Sequence, residues 1–250
     1  RSRGAMSGAG PTEIVVGGER APWERLGLLF ESGAAQVGSV RLRVVPFLSP
    51  GIQTIGITPS DDGSAGDTDH VHDGACDHDH GPRPSFIDGA PIHTVPSGST
   101  TTAGAGVLGG AASVQGALLD ARVIDHVVLM TPDLERTCHL AAAATGAPLK
   151  RIREAGTVRQ GFFRLGEVIL EVVQSPQVPE GPARWWGLVL TVGDGPESLV
   201  ELCDRLGPEV IGSPRTAVQP GRFIATVRSE VGLGLPVALM SPDPGRTTTV

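Results

Sequence analysis

The chain has 250 residues and a formal net charge of -7, enough length to bury one large core or two small ones. That charge, the lack of any long basic run and an aromatic content of only 4% argue against nucleic acid as a partner, since phosphate neutralisation and base stacking have little to draw on. No apolar run approaches the roughly 20 residues that cross a bilayer, and the opening RSRGAMSGAG has no apolar signal core, so neither a membrane nor a secretory route is expected.

Residues 1–10 are read as a disordered arm or expression remnant. EIVVGG then reads as a strand, PWERLGLLF as a helix, AQVGSVRLRVV as one alternating strand and IQTIGI as a last strand, which makes 11–57 a βαββ-type half-unit. From 58 to 121 the chain turns to Asp, His, Gly, Ser, Thr and Pro. This reads as a linker interrupted only by PSFIDGAPIHTV, a short strand or turn.

Within that linker DTDHVHDGACDHDHG carries His70, His72, Cys76, His78 and His80. Imidazole and thiolate suit zinc, nickel or copper. The ligands are nevertheless flanked by glycine and aspartate, with no CxxC or HxxxH spacing to fix them. Three readings stand: a solvated acidic linker with incidental ion affinity, a metal-storage or sensing segment, and a structural site.

Periodicity returns at RVIDHVVLMTPDLERTCHLAAAATG. A β-branched run over 124–130 reads as a strand. Thr131 can cap a following helix, Pro132 suits its first position, Asp133 and Glu135 suit its positive end, and Gly146 suits its stop. Strands are expected at 148–153, 157–165 and 167–173, with turns at Gly156 and Gly166. The next segment repeats this order: RWWGLVLTVGD as strand, GPESLVELCDRLG as helix, and two strands in GRFIATVRSEVGLGLPVALMSP. Asp133 matches Asp194 and both units close on Ser-Pro, so a duplication is the simplest explanation. The units are 122–176 and 184–242, with 243–250 as a tail. Cys76, Cys138 and Cys203 are odd in number and widely spaced, which fits a reducing cytoplasm. Cys138 and Cys203 fall in expected helices and read as buried thiols.

DHVVLMTPDLERT and RQGFFRLGEVILEVV resemble the vicinal oxygen chelate superfamily of glyoxalases, epimerases, extradiol dioxygenases and drug-sequestering proteins, over 122–242. The resemblance implies an α+β fold in which paired βαβββ units form curved mixed sheets around a cleft, here with the additional amino-terminal half-unit. It implies metal ligands on the first and last strand of each unit, where His126 and Glu171 fall. One divalent ion (zinc, manganese, magnesium, nickel or iron) would polarise adjacent substrate oxygens while a carboxylate moves a proton. The second unit departs from the pattern: Gly187 stands opposite His126, and Val237 or Ala238 opposite Glu171. Glu13, in the amino-terminal strand, is the remaining carboxylate at a matching place. Without a metal, His126 would satisfy its ring nitrogens inside the cleft and Glu171 would accept from it.

For substrate contacts, Arg159 and Gln160 in one unit correspond to Gln219 and Arg222 in the other, and the guanidiniums can clamp a carboxylate or phosphate. Trp185 and Trp186 are adjacent on a strand and must face opposite sides, one toward core and one toward a pocket wall such as Trp186 would provide. The expected function is a glyoxalase-like lyase or isomerase acting on a small oxygenated or carboxylated metabolite, with no nucleotide cofactor and with a homodimer left open. The alternatives are a metal-independent drug-binding protein and a metal-handling protein acting through the His-rich segment.

Overall fold

The computed structural model describes residues 10–58, 85–95 and 119–245. His70, His72, Cys76, His78 and His80 lie outside the described residues, and so do the readings attached to them.

The amino-terminal elements are β1 (Gly10–Gly17), α1 (Ala21–Leu26), β2 (Ala34–Val37), β3 (Val40–Val45), β4 (Gly51–Thr58), β5 (Ser85–Ile87) and β6 (Ala90–Thr94). They form one sheet in the order β2-β3-β1-β4-β6-β5. The stretch AQVGSVRLRVV, expected as one strand, is instead a hairpin that turns at Gly38, whose φ of 60° is the left-handed conformation glycine tolerates. Helix α1 stops at Leu26, earlier than expected, because Gly27 follows it in the left-handed region.

The sheet does not end at residue 57 either. Ser85–Ile87 and Ala90–Thr94, inside the stretch read as linker, pair with each other and add to β4. The result has internal symmetry. β1 runs antiparallel to β4, β3 returns parallel to β1, and β6 returns parallel to β4. Each half is thus one central strand flanked by a hairpin.

The carboxy-terminal elements are β7 (Ala121–Thr131), α2 (Leu134–Thr145), β8 (Leu149–Ala155), β9 (Val158–Leu165), β10 (Val168–Gln174), β11 (Arg184–Val192), α3 (Pro196–Leu206), β12 (Arg215–Thr216), β13 (Phe223–Thr226) and β14 (Val237–Met240). They form an eight-stranded sheet, β12-β13-β14-β11-β7-β10-β9-β8. β10 is parallel to β7, β14 is parallel to β11, and β7 and β11 join the two βαβββ units antiparallel. The fold is α+β with mixed sheets, as expected.

Asp133, not Thr131, caps α2, its carboxylate accepting from Arg136 N at 3.0 Å, while Thr131 Oγ1 accepts from Asp133 N at 3.0 Å and so shapes the entry turn. In the second unit Asp194 makes no cap; it pairs with Arg122 at 2.7 Å.

Alternation fixes which side of the sheet holds what. On β9, Gln160 and Phe162 face a cavity, so Gly161 between them faces the other way, where Cys138 of α2 sits close enough that an added Cβ would meet its Sγ at 2.5 Å. Helix α2 therefore covers the face opposite the cavity, burying Leu134, Cys138 and Ala141.

The two sheets share one apolar core, with Ile14, Trp23, Leu42 and Ile55 continuous with Leu129, Leu170, Leu190 and Leu239. Polar contacts pin the β5–β6 turn across the seam. Asp88 receives two hydrogen bonds from Arg136 Nε and one from Nη2 at 3.0–3.1 Å, and Thr137 Oγ1 donates at 2.5 Å. Ala183 N donates to Asp88 O at 2.7 Å and Trp185 Nε1 to Pro91 O at 2.9 Å. No helix among the described residues is long and apolar enough to cross a membrane.

Candidate functional site

The concave face of the eight-stranded sheet encloses a cavity of about 460 Å³, within the ordinary range of small-molecule sites. Strand alternation supplies its wall: His126, Val128 and Met130 from β7, Glu171 and Val173 from β10, Gln160 and Phe162 from β9, Ala238 and Met240 from β14. Trp186, Leu188 and Val189 of β11 close one side, and Arg151, Arg153 and Arg215 reach in from β8 and β12.

His126 is 8% exposed and owes its setting to a break in strand pairing. Val189 pairs with His126 and Leu190 with Ile124, so Asp125 is an extra residue on β7, a bulge of the kind that re-aims side chains beside functional sites. The bulge lets neighbouring side chains meet, which a regular strand forbids. Asp125 Oδ2 lies 2.7 Å from His126 Nδ1. The ring N–H does not lie along that line, so the contact is a close approach and not a linear hydrogen bond. The other ring nitrogen, Nε2, is the one left for the cavity.

Asp125 is held from behind by Arg222, which is only 2% exposed. Arg222 Nη2 donates to Asp125 Oδ1 at 3.0 Å and Nη1 to Oδ2 at 3.3 Å. Nε donates to Ser241 O at 2.7 Å, Nη1 to Gln219 Oε1 at 2.5 Å and Nη2 to Thr191 Oγ1 at 3.3 Å. Burial by itself pushes the Asp125 carboxyl upward, but the adjacent His126 ring and the hydrogen bonds and charge of Arg222 more than offset it and hold the group well below the usual carboxylate range. Asp125 is thus an anion throughout the neutral range. Sequence reading passed over it, because alternation sends the neighbour of a cavity residue to the opposite face and nothing in IDHVV announces a bulge.

Glu171 pairs in register with Val128, two residues beyond His126 on the adjacent strand. That diagonal offset, about 7–8 Å between backbones, lets two side chains address one ligand. Its partner is not His126, as expected in the metal-free case, but Gln160, whose Nε2 donates to Glu171 Oε1 at 2.5 Å while Arg153 Nη1 donates to Gln160 Oε1 at 3.3 Å.

Of the remaining expected contacts, Gln160, Gln219 and Trp186 line the cavity; Trp186 is 46% exposed, while Trp185 packs toward the core. The two arginines expected to clamp a ligand do not. Arg159 is paired with Glu135 at 2.6 Å and Glu154 at 3.5 Å and bonded to Gln174, outside the cavity wall. Arg222 is consumed by Asp125. The arginines that do line the cavity, Arg151, Arg153 and Arg215, carry an i, i+2 signal in KRIRE that could have singled out the first two. Cys138 and Cys203 are buried, as expected, and burial pushes the Cys138 thiol up to about 11.

The side chains present do not fit a divalent ion. Among the described residues no group of three or more His, Cys, Asp or Glu comes together, and catalytic ions normally take about three protein ligands. The second unit offers Leu188, Val189 and Ala238 to the cavity. Glu13 is on the other sheet, 3.4 Å from Arg43 and 3.8 Å from His93.

No protein-family model and no curated protein matches the chain. Among solved structures it is similar to methylmalonyl-CoA epimerase from Mycobacterium tuberculosis, at 16% identity and TM-score 0.42 over 50% of this chain and 91% of that one. A variant of the Streptomyces coelicolor methylmalonyl-CoA epimerase, in complex with 2-nitronate-propionyl-CoA, is similar at 14% and 0.42 over 51% and 99%. A hypothetical protein from Bacillus halodurans is similar at 12% and 0.41 over 50% and 97%. In this chain two βαβββ units, each closed by a last strand parallel to its first, meet through their first strands. Among the described residues, the first unit supplies the cavity's His126 and Glu171, and the second supplies an apolar wall with Gln219 and Arg215.

Proposed function

We propose that the cleft binds a small organic acid and moves a proton on it, as an isomerase- or lyase-type enzyme. The observation that carries this reading is His126 in the cavity wall with an ionised Asp125 against its Nδ1. A carboxylate held beside the imidazole stabilises the imidazolium that forms when Nε2 takes a proton. Arg151, Arg153 and Arg215 supply the attraction for a carboxylate, and the apolar wall supplies the rest of the binding. In this scheme His126 Nε2 removes the proton next to the ligand's carbonyl or carboxyl group. Glu171, held by Gln160, addresses the same ligand from the neighbouring strand as the second proton carrier. No step is routed through a metal, because the donor set does not fit one.

The test is solvent deuterium incorporation, followed by NMR, into a panel of enolisable carboxylic acids. Wild type should wash deuterium into at least one, and His126→Gln should slow this by about 10²–10⁴-fold, the range general-base catalysis supplies. Full exchange in the variant would end the proposal.

The apolar wall of Trp186, Leu188, Val189 and Ala238 favours a second reading, a protein that sequesters its ligand. A compound that raises the melting temperature by mass action and is recovered unchanged and undeuterated supports that reading.

A further inference from the structure

The cavity carries three guanidiniums against one carboxylate, Glu171, in a chain whose formal net charge is -7. The local sign opposes the global one. The three are also not grouped. Arg151 and Arg153 stand on β8 and Arg215 on β12, the two edge strands of the eight-stranded sheet. Laid flat, eight strands spaced about 4.8 Å would put those edges about 34 Å apart. The sheet is curved so strongly that both edges line one cavity of about 460 Å³, with His126 and Glu171 on the central strands β7 and β10 between them.

Their partners sharpen the picture. Arg151 lies over the ring of Phe162, its guanidinium carbon 4.7 Å from the centroid, a contact that holds the group flat while leaving its N–H edge unspent. Neither Arg151 nor Arg215 is joined to a carboxylate among the described residues, whereas Arg159, Arg122 and Arg136 outside the cavity all are. Arg153 bonds only the neutral Gln160. Guanidiniums with no carboxylate partner among the described residues thus line both edges of a mostly apolar floor.

We infer that the ligand carries an anionic group at each end, one for the Arg151–Arg153 lip and one for the Arg215 lip, with an apolar spacer across the floor. This rests on the cavity being an anion site, as proposed above, and narrows its ligand to a dianion of limited length. A monoanion satisfies one lip and leaves the other unpaired. A dianion whose spacer is too short or too long does the same.

The experiment titrates linear α,ω-dicarboxylates from succinate to suberate, and the monomethyl ester of each, into the full chain at low ionic strength by calorimetry. Affinity should peak at one chain length. The ester of that diacid should bind at least about tenfold more weakly, the scale of one charge-assisted contact. Arg215→Gln and the Arg151→Gln, Arg153→Gln pair should each bring the diacid to the level of the ester; glutamine keeps part of the aliphatic stem, and circular dichroism checks the fold. Equal binding of diacid and ester, affinity that ignores chain length, or no saturable binding overturns the two-lip assignment. Deuterium exchange is judged separately, on wild type against His126→Gln, so failure here and failure of the proton-transfer reading are told apart.

Discussion

Replacing Arg222 by methionine removes the cation from a pair that is almost wholly out of water. Five hydrogen bonds go with it, two of them to Asp125. Methionine fills much of the space but leaves Asp125 a buried anion with only His126 and the Thr191 hydroxyl at hand. Breaking a buried pair from one side costs about 3–5 kcal/mol, which for a chain of this size lowers the melting temperature by about 6–20 °C. The pH dependence has a definite sign. In wild type the Asp125 carboxyl is held below its usual range, so its contribution is present above the unfolded value of about 3.9 and is lost as pH falls through the folded value. In the variant burial dominates and raises the group, so the charge is a liability at pH 7 that protonation relieves. Urea denaturation of both proteins should show a gap that is widest near pH 7 and narrows toward about pH 4. Adding Asp125→Leu to Arg222→Met should recover most of the loss. A variant within about 0.5 kcal/mol of wild type at pH 7, the ordinary range of a surface change, would refute the argument, as would a gap that ignores pH.

Three further outcomes are expected. Gly161→Ala drives a methyl group against Cys138 Sγ at 2.5 Å and should cost about 1–3 kcal/mol; adding Cys138→Ala should return part of it, and strict additivity in the double-variant cycle would contradict the packing of α2 on β9. In a Cys76→Ser background, thiol reagents at pH 8 should leave Cys138 and Cys203 unmodified until denaturant is added, because burial raises both thiols; rapid labelling of Cys138 in the native protein would show that its burial is misjudged. Asp88→Ala removes the anchor that Arg136 and Thr137 hold, so amide exchange should quicken across Ser85–Thr94, and unchanged protection there would mean the turn is held by other contacts.

Local signals explain what could be read in advance. Proline, aspartate and glycine bracket α2, glycines mark the turns at Gly156 and Gly166, and each of these acts within a few residues of itself. The duplication was legible for the same reason, since both units repeat those marks. The site was legible only where a side chain and its face follow from alternation, as for His126, Glu171, Gln160 and Trp186. Asp125 was hidden by the bulge. Arg222 looked like a ligand clamp because its carboxylate is 97 positions away. The short strands β5 and β6 sit between long polar tracts, and their pairing with β4 is decided by distant backbone groups that composition does not encode.

Three tryptophans occur in the chain, and the fold has put them in three different optical environments. Trp23 is sealed in the amino-terminal core, Trp185 is tied to Pro91 O across the seam between the sheets, and Trp186, its immediate neighbour, stands half in solvent at the cavity. Single-tryptophan versions would therefore emit at different wavelengths and report separately on core melting, sheet separation and ligand entry. Iodide should quench Trp186 and spare Trp23, and a bound organic acid should shield the first without altering the second. The molecule carries its own dyes, one for each event worth timing.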